Sequence, residues 1–291
     1  MRTSVTFFRC LIIKWRFMVR QSTGLLFCGV LLSACGDLST PKGPIKYLSI
    51  KGGVVSDEPL SALVGKHVLT SGGNAVDALV AMYFALSVTY PVSGTLGGGG
   101  ICIVHNGKDG TTATVDFRPG KYTIGNRTAG IPGVVRGLYT LHARFGRTKW
   151  EKLLIPAEKL ARFGFPVSRA FARKLAELPP DMFFHPTIRE LFTSNNKPLT
   201  EGKKLIQRRL STIIEKVRLS GPTGFYTGNI ARDLIVGLEK TTNIAVPAAA
   251  LKSYRPTWSV PKNIAFGNRI MFVPGGRIGT KAVTILDAVI Q

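Results

Sequence analysis

Acidic residues are scarce in this sequence. Its 291 residues include 16 Asp and Glu against 39 Lys and Arg, a formal net charge of +23. Such an excess favours anionic partners, which are nucleic acid, anionic lipid or an acidic protein surface. The chain has no zinc-finger spacing, no aromatic RNA-binding motif and no single basic stripe, so we expect no nucleic-acid partner. The densest basic run, KKLIQRR at 203–209, is either a solvated helix face or a contact for an anion.

Residues 1–35 contain no acidic residue at all. An apolar run at 25–32 follows five basic residues, which are Arg2, Arg9, Lys14, Arg16 and Arg20. The run is too short to span a bilayer as a helix. This arrangement predicts a signal peptide and export from the cytoplasm. Met1 and Met18 both stand as candidate starts, and Met18 would give a signal of more ordinary length.

The apolar run ends in Leu32-Ser33-Ala34-Cys35, which resembles the bacterial lipobox. In that motif the cysteine is lipidated and becomes the first residue of the mature protein, so Cys35 is the predicted lipidation site. The sequence therefore predicts a lipoprotein anchored to a membrane in the periplasm or cell envelope of a bacterium. A plain secretory signal with a chance cysteine is the alternative.

Cysteine is as rare as histidine, with four of each. Cys10 and Cys28 lie in the predicted signal peptide, so only Cys102 remains in the folded body and no internal disulfide is expected there. Cys102 alternates with isoleucines in a strand pattern, which is typical of a small buried apolar side chain. No histidine stands in ligand spacing with it. We expect neither a metal nor a cofactor.

After a tether at 36–51, residues 52–291 show no repeat and no linker, which predicts one domain. Helical spacing appears at 62–70. Asn74 is a good N-cap with Asp77 three positions later, and the apolar run that follows predicts a buried helix that Pro91 ends. Further helices are predicted at 134–144, 150–162, 207–219 and 230–239, and a loop at 181–198. Phe225 and Tyr226 are expected to pack in the core.

Four consecutive glycines, 97–100, precede an apolar strand. Their spacing lacks the Lys and Ser or Thr of a Walker loop and the third glycine of a dinucleotide fingerprint. Glycines also allow a close backbone crossing, and that is the function we expect here. Strands at 101–105 and 112–117 flank a polar turn and predict a hairpin, which ends at Arg118. An arginine at a strand end is well placed to hold a carboxylate bidentately.

These motifs occur in an order that resembles the large-subunit half of the gamma-glutamyltransferases, also called gamma-glutamyltranspeptidases or glutathione hydrolases. The resemblance covers residues 52–291. It rests on GGNAVDALVA at 72–81, the glycine run and hairpin, VDFRPG at 115–120, the stretch from GIPG at 130 to FPVS at 168, GPTGFYTGNIARDLIV at 221–236, KSYRPTWSVP at 252–261 and PGGRIGTKAVTILDAVI at 274–290.

The resemblance implies a mixed α/β (α+β) fold, the αββα sandwich of N-terminal-nucleophile hydrolases, of which this chain would supply an incomplete, large-subunit half. It also implies a precursor that cleaves itself before a threonine, whose amine and hydroxyl then attack a gamma-glutamyl bond. Arg118 matches the family arginine that holds the glutamyl α-carboxylate. Pro119 departs from the acid usual at that position, and the following segment is shortened. The alternative for Arg118 is a surface arginine at a strand end.

The resemblance gives no catalytic residue in this sequence, because the threonine motif of the family lies beyond the part matched. Thr241-Thr242 in TTNIAV resembles that motif locally. Its position before KSYRP argues instead for a turn after a helix that ends near Lys240.

Three hypotheses follow. The chain is the large subunit of a split gamma-glutamyltransferase acting on substrates such as glutathione, with a separately encoded small subunit and no activity alone. It is, alternatively, a degenerate remnant of the enzyme, or a lipid-anchored glutamate- or glutathione-binding protein.

Overall fold

A computed structural model describes residues 52–290, so the predicted signal peptide, the lipobox and the tether lie outside the described residues. The first helix, α1 (Pro59–Thr70), begins with a proline at its N-terminus and with the Glu58 carboxylate accepting a hydrogen bond from Ser61 N. The second, α2 (Ala75–Thr89), begins with the predicted capping box, in which Asn74 and Asp77 exchange hydrogen bonds.

Helix α2 forms the centre of the core, as its continuous apolar sequence predicts. Val80, Phe84 and Val88 on it are fully buried, and it packs against α1 and two later helices, α3 (Val134–Phe145) and α4 (Trp150–Phe163). The ring of Phe84 meets that of Trp150 edge to face, with centroids 5.6 Å apart.

The remaining helices surround this core. They are α5 (Arg169–Glu177), α6 (Pro186–Phe192), α7 (Arg208–Ser220), α8 (Thr223–Tyr226), α9 (Gly228–Thr242), α10 (Ala248–Ser253) and α11 (Gly276–Ile290), with a 3-10 helix at Pro180–Phe184. Within the described range, no helix is both long and apolar enough to cross a membrane.

The strands form small antiparallel sheets. Strands β1 (Ile101–His105), β2 (Thr112–Asp116) and β9 (Thr257–Ser259) make a three-stranded sheet with β2 in the middle. The others pair two by two: β3 (Gly120–Ile124) with β4 (Arg127–Ile131), β5 (Phe165–Pro166) with β8 (Lys204–Leu205), β6 (Thr193–Ser194) with β7 (Lys197–Pro198), and β10 (Lys262–Phe266) with β11 (Arg269–Val273).

Two segments differ from the sequence-based prediction. No strand was predicted between Arg118 and α3, but β3 and β4 form a hairpin there, closed at Gly125, whose φ of 58° suits glycine. Residues 181–198 were expected to be a loop but contain α6 and a second hairpin. The residues that suggested a loop mark the ends of these elements. Pro186 begins the helix, and Asn195 and Asn196 take the positive φ that a tight hairpin turn requires.

Candidate functional site

The glycine run crosses the end of strand β2 at very short range, as predicted. Gly100 and Phe117 exchange backbone hydrogen bonds, with N to O distances of 3.4 and 2.8 Å. A Cβ on Gly99 would lie 2.5 Å from the carbonyl oxygen of Phe117 and 2.6 Å from Cδ of Pro119. Only glycine fits at this position, and the crossing fixes the backbone on both sides of Phe117.

Helix α3 holds the same point from the other side. The carbonyl oxygen of Gly98 accepts hydrogen bonds from the amides of Gly133 and Val134, at 2.9 and 3.2 Å, where the helix begins. Gly133 and Gly137 leave room for the carbonyl and the ring of Phe117, respectively. Phe117 is buried between these elements. The next residue, Arg118, therefore extends from a backbone segment that is held rigidly in place.

The guanidinium of Arg118 holds the carboxylate of Asp116 at the end of β2. Nε donates to both carboxylate oxygens at 3.0 Å, and one terminal nitrogen donates to Oδ2 at 2.5 Å. This side-chain hydrogen bonding lowers the pKa of Asp116 and raises that of Arg118. The two side chains are 29% and 50% exposed, so water reaches the pair.

One edge of this guanidinium remains available. Arginine carries five N–H donors in a planar fork, and Asp116 engages Nε and Nη2. The other terminal nitrogen, Nη1, makes no hydrogen bond within residues 52–290. The edge made by Nη1 and Nη2 has the geometry that binds a second carboxylate bidentately.

Arg118 lines an open cleft of about 770 Å³. Asp116 contributes the single acid to the lining, whereas Arg118, Lys121 and Arg255 contribute positive charge. The remaining lining residues are Pro119, Gly120, Thr128, Gly130, Tyr254 and Thr257. A cleft with this charge balance attracts small carboxylates.

Tyr254 supports Arg118 from below. Its hydroxyl donates to the carbonyl oxygen of Arg118 at 2.9 Å. Burial, followed by the nearby Asp116 carboxylate, raises the pKa of Tyr254 to about 12, so the hydroxyl stays protonated as a donor. Gly120 and Gly133 approach the same side chain closely.

Arg136 supports Tyr254 in turn. It donates to the carbonyl oxygens of Tyr254 and Lys252, at 2.7 and 3.0 Å, and lies 4.4 Å above the ring of Tyr226. Burial and the charge of Arg255 lower its pKa. Tyr226 is buried as predicted, and its hydroxyl donates to the carbonyl oxygen of Pro132 at 2.7 Å. No sequence pattern singled out Tyr254 or Arg136, although both lie in stretches that carried the resemblance.

The other candidate residues lie apart from this cleft. Thr242 is the last residue of α9, and its hydroxyl donates to the carbonyl oxygen of Leu238 at 2.7 Å, which supports the structural interpretation over the nucleophilic one. Cys102 lies in β1 and is partly buried, its thiol donates a weak hydrogen bond to the carbonyl oxygen of Ile103 at 3.8 Å, and burial raises the pKa of that thiol. Cys35 lies outside the described residues. Across the described part of the chain, no group of three His, Cys, Asp or Glu side chains is arranged to hold a metal ion.

Comparison with known proteins gives consistent results. Residues 61–287 match the family described as Gamma-glutamyltranspeptidase. The chain is 31% identical over 283 residues to the glutathione hydrolase proenzyme of Escherichia coli, a match that covers 86% of this chain and 48% of that protein. It is 32% identical over 219 residues to the glutathione hydrolase proenzyme of Bacillus subtilis, covering 67% and 37%. The chain thus spans about half or less of these relatives.

Solved structures show the same similarity. The gamma-glutamyltranspeptidase of Helicobacter pylori superposes with a TM-score of 0.75 at 29% identity, over 84% of this chain and 76% of that one. The transpeptidase CapD of Bacillus anthracis gives 0.68 at 26% identity, over 77% and 75%.

Proposed function

Because the chain belongs to the gamma-glutamyltranspeptidase family and covers its large-subunit-like portion, we propose that the Arg118 cleft binds the γ-glutamyl group of a substrate such as glutathione. The structural similarity confirms the predicted fold class, that of the N-terminal-nucleophile hydrolases. The observation that carries the proposal is the available edge of Arg118 made by Nη1 and Nη2, which lies in a cationic cleft and at the motif position matched to the family arginine.

In this proposal Arg118 binds two carboxylates at once. Asp116 keeps the edge made by Nε and Nη2 and fixes the plane of the guanidinium, while the substrate α-carboxylate binds the adjacent edge made by Nη1 and Nη2. Pro119 stands where the resemblance leads one to expect an acid. Asp116, two residues before Arg118, is the anionic partner of the arginine here, and proline stiffens the backbone after Arg118.

We propose that the 291 residues bind the glutamyl group but do not by themselves cleave the γ-glutamyl bond. The family reaction requires a threonine nucleophile, and the part of the relatives that this sequence does not match would supply it, either in the same chain or as a separately encoded small subunit. Attack of the threonine hydroxyl on the γ-carbonyl would release the amine and leave a glutamyl ester, which water or an amino acid then cleaves. Arg118 contributes by holding the substrate in position for this attack.

We also propose that Cys35 is lipidated and holds the protein at a membrane in the periplasm or cell envelope. The support is the order of the N-terminal features, a basic region, an apolar run and the Leu-Ser-Ala-Cys stretch. Mass spectrometry of the protein purified from its natural source would show a lipidated Cys35 at the N-terminus; an unmodified cysteine would contradict the proposal.

Isothermal titration calorimetry with the full chain tests the binding function. Glutathione should bind the unmodified protein, Arg118→Ala should abolish the heat, and Arg118→Lys should weaken binding because lysine offers no planar fork. Lys108→Ala, on the exposed turn of the β1 and β2 hairpin, is the matched control and should bind normally. Absence of heat with the unmodified chain would reject the proposal and favour a degenerate remnant.

Activity separates the remaining alternatives. The chain alone should not release p-nitroaniline from γ-glutamyl-p-nitroanilide, although it binds glutathione. Release that is lost in Thr242→Ala would place the nucleophile in this chain and contradict the proposal. If glutathione binds and addition of the threonine-bearing half of a relative never restores turnover, a glutamate- or glutathione-binding protein is the better description.

A further inference from the structure

Helices α1 and α4 each carry a largely apolar stripe, and the two stripes face each other across a groove. Both helices pack against α2. Leu60, Leu63, Val64 and His67 of α1 and Pro156, Lys159, Leu160 and Phe163 of α4 follow the spacing i, i+3, i+4, i+7. These eight residues and Gly164 line a groove of about 440 Å³. The stripes are therefore the adjacent faces of two helices with an unfilled space between them.

The rim of this groove exposes large apolar side chains. Leu63 is 57% exposed and Phe163 is 64% exposed. Ile206, which is 37% exposed, lies next to them, since a Cβ on Gly164 would be 2.7 Å from its Cγ1. The rim thus continues from α1 across α4 to the segment that follows β8. Exposed apolar residues that form a continuous group of this kind mark an interaction site more often than scattered ones do.

Cations surround the same group. Lys66, Lys159 and Lys204 are exposed beside it, and Lys204 Cε would lie 2.9 Å from a Cβ on Gly164. Lys203 and Arg208 extend the charge along the basic run. Within residues 52–290 none of these five side chains forms an ion pair.

Acidic side chains near the group do not balance this charge. No acid lines the groove. Glu158, the neighbour of Lys159, is bound to Arg162 and Arg218 at 2.8 and 2.6 Å. Glu190 lines a neighbouring depression together with Ile206, Arg208 and Arg209, whose two arginines outnumber it. The group formed by Leu63, Lys66, Lys159, Phe163, Lys204 and Ile206, here called the α1–α4 surface, is apolar at its centre and cationic at its rim.

We propose that the α1–α4 surface lies on an anionic lipid bilayer. Phe and Leu flanked by lysines are the composition of helix faces that insert at the lipid headgroup level. Lysine is depleted at protein–protein interfaces, so its repetition around the rim favours a lipid surface over a protein partner. Each lysine attracts an anionic headgroup, and Phe163 and Leu63 enter the boundary between headgroups and acyl chains. The basic run at 203–209 is then a contact for lipid anions.

Vesicle co-sedimentation with the full chain tests this proposal. The chain should bind vesicles of phosphatidylglycerol and phosphatidylcholine and bind pure phosphatidylcholine at least tenfold more weakly, on the order expected for loss of several charge contacts. The double variant Lys159→Gln/Lys204→Gln should bind the anionic vesicles about twentyfold more weakly. Phe163→Ser should reduce binding about tenfold. All of these substitutions are at exposed positions, and circular dichroism melts should match that of the unmodified chain.

Matched controls distinguish vesicle binding by this surface from binding caused by the overall positive charge or by the N-terminal segment, which all variants retain. Lys108→Gln/Lys240→Gln removes the same charge elsewhere, and Phe184→Ser removes another exposed phenylalanine; both should bind as the unmodified chain does. Equal weakening by the controls, or unchanged binding in the α1–α4 variants, overturns the proposal. A dimer in sedimentation velocity that Phe163→Ser dissociates also overturns it, because a second copy would then cover this surface.

Discussion

Two carboxylates, Asp77 and Asp116, illustrate two uses of an acid in this molecule. Asp77 is fully buried and accepts hydrogen bonds from the amides of Asn74, Arg147 and Thr148 and from the Thr148 hydroxyl, at 3.0 to 3.2 Å. Asp116 lies at the surface and is held by the adjacent Arg118. The donors around Asp77 all bind its carboxylate and connect α2 to the segment before α4. Arg118, in contrast, binds Asp116 and still has N–H donors without a partner among the described residues. We propose that these available donors make Arg118 a binding residue, in contrast to the structural contacts of Asp77.

The largest expected effect on stability is at Asp77. Asp77→Asn replaces one carboxylate oxygen by an NH2 group that faces backbone N–H donors. The contact between α2 and the segment before α4 then loses several buried hydrogen bonds. We expect the free energy of unfolding to fall by about 3 kcal/mol. Urea denaturation followed by circular dichroism measures this. Asp116→Asn is the comparison and should cost less than about 1 kcal/mol, since its pair is solvated. Equal costs would mean that the two acids do not differ as described.

A smaller effect is expected at Gly133, which holds the backbone of the Arg118 cleft. In Gly133→Ala the added Cβ meets the carbonyl oxygen of Phe117 and lies 2.5 Å from the Tyr254 hydroxyl. We expect a loss of about 2 kcal/mol in stability, together with weaker glutathione binding, because the support of Arg118 shifts. Gly107→Ala, in open space on the hairpin turn, is the control and should change neither quantity. Normal binding in Gly133→Ala would show that the backbone crossing does not position the site.

The smallest effect concerns pH. Arg118 lowers the pKa of Asp116, so the pair stabilises the folded state at pH values above the unfolded pKa of an aspartate, about 4. This contribution is lost as the pH falls through the lower folded value. The difference in unfolding free energy between the unmodified chain and Asp116→Asn should therefore be constant from pH 7 to about 5 and shrink below about 4. A difference that instead changes between pH 5 and 7 would argue against this pair as its source.

Sequence alone predicted the parts of the fold that depend on local signals. The capping box at Asn74 and Asp77, the buried α2 and the β1 and β2 hairpin follow from neighbouring residues. The close crossing of the glycine run was predicted as well, because no other task suited its spacing. The β3 and β4 hairpin was missed since its turn, Gly125 and Asn126, is short and its strands carry little apolar alternation.

The support of Arg118 was not predictable in the same way. Tyr254 lies 136 residues from Arg118 along the chain, and Arg136 lies 118 residues from Tyr254. Only the folded chain brings these three residues together. The Asp116 and Arg118 pair, in contrast, is two residues apart at a strand end, and that spacing was a usable signal that the arginine would already hold one carboxylate.

The most direct test of the central claim compares two ligands that differ in the group Arg118 is proposed to hold. Calorimetry with L-glutamate and with 4-aminobutyrate, which lacks the α-carboxylate, should give binding of the first and no detectable binding of the second. Arg118→Ala should remove the difference, whereas Lys108→Ala should preserve it. Equal binding of the two ligands by the unmodified chain would contradict the claim that the available edge of Arg118 holds the glutamyl α-carboxylate.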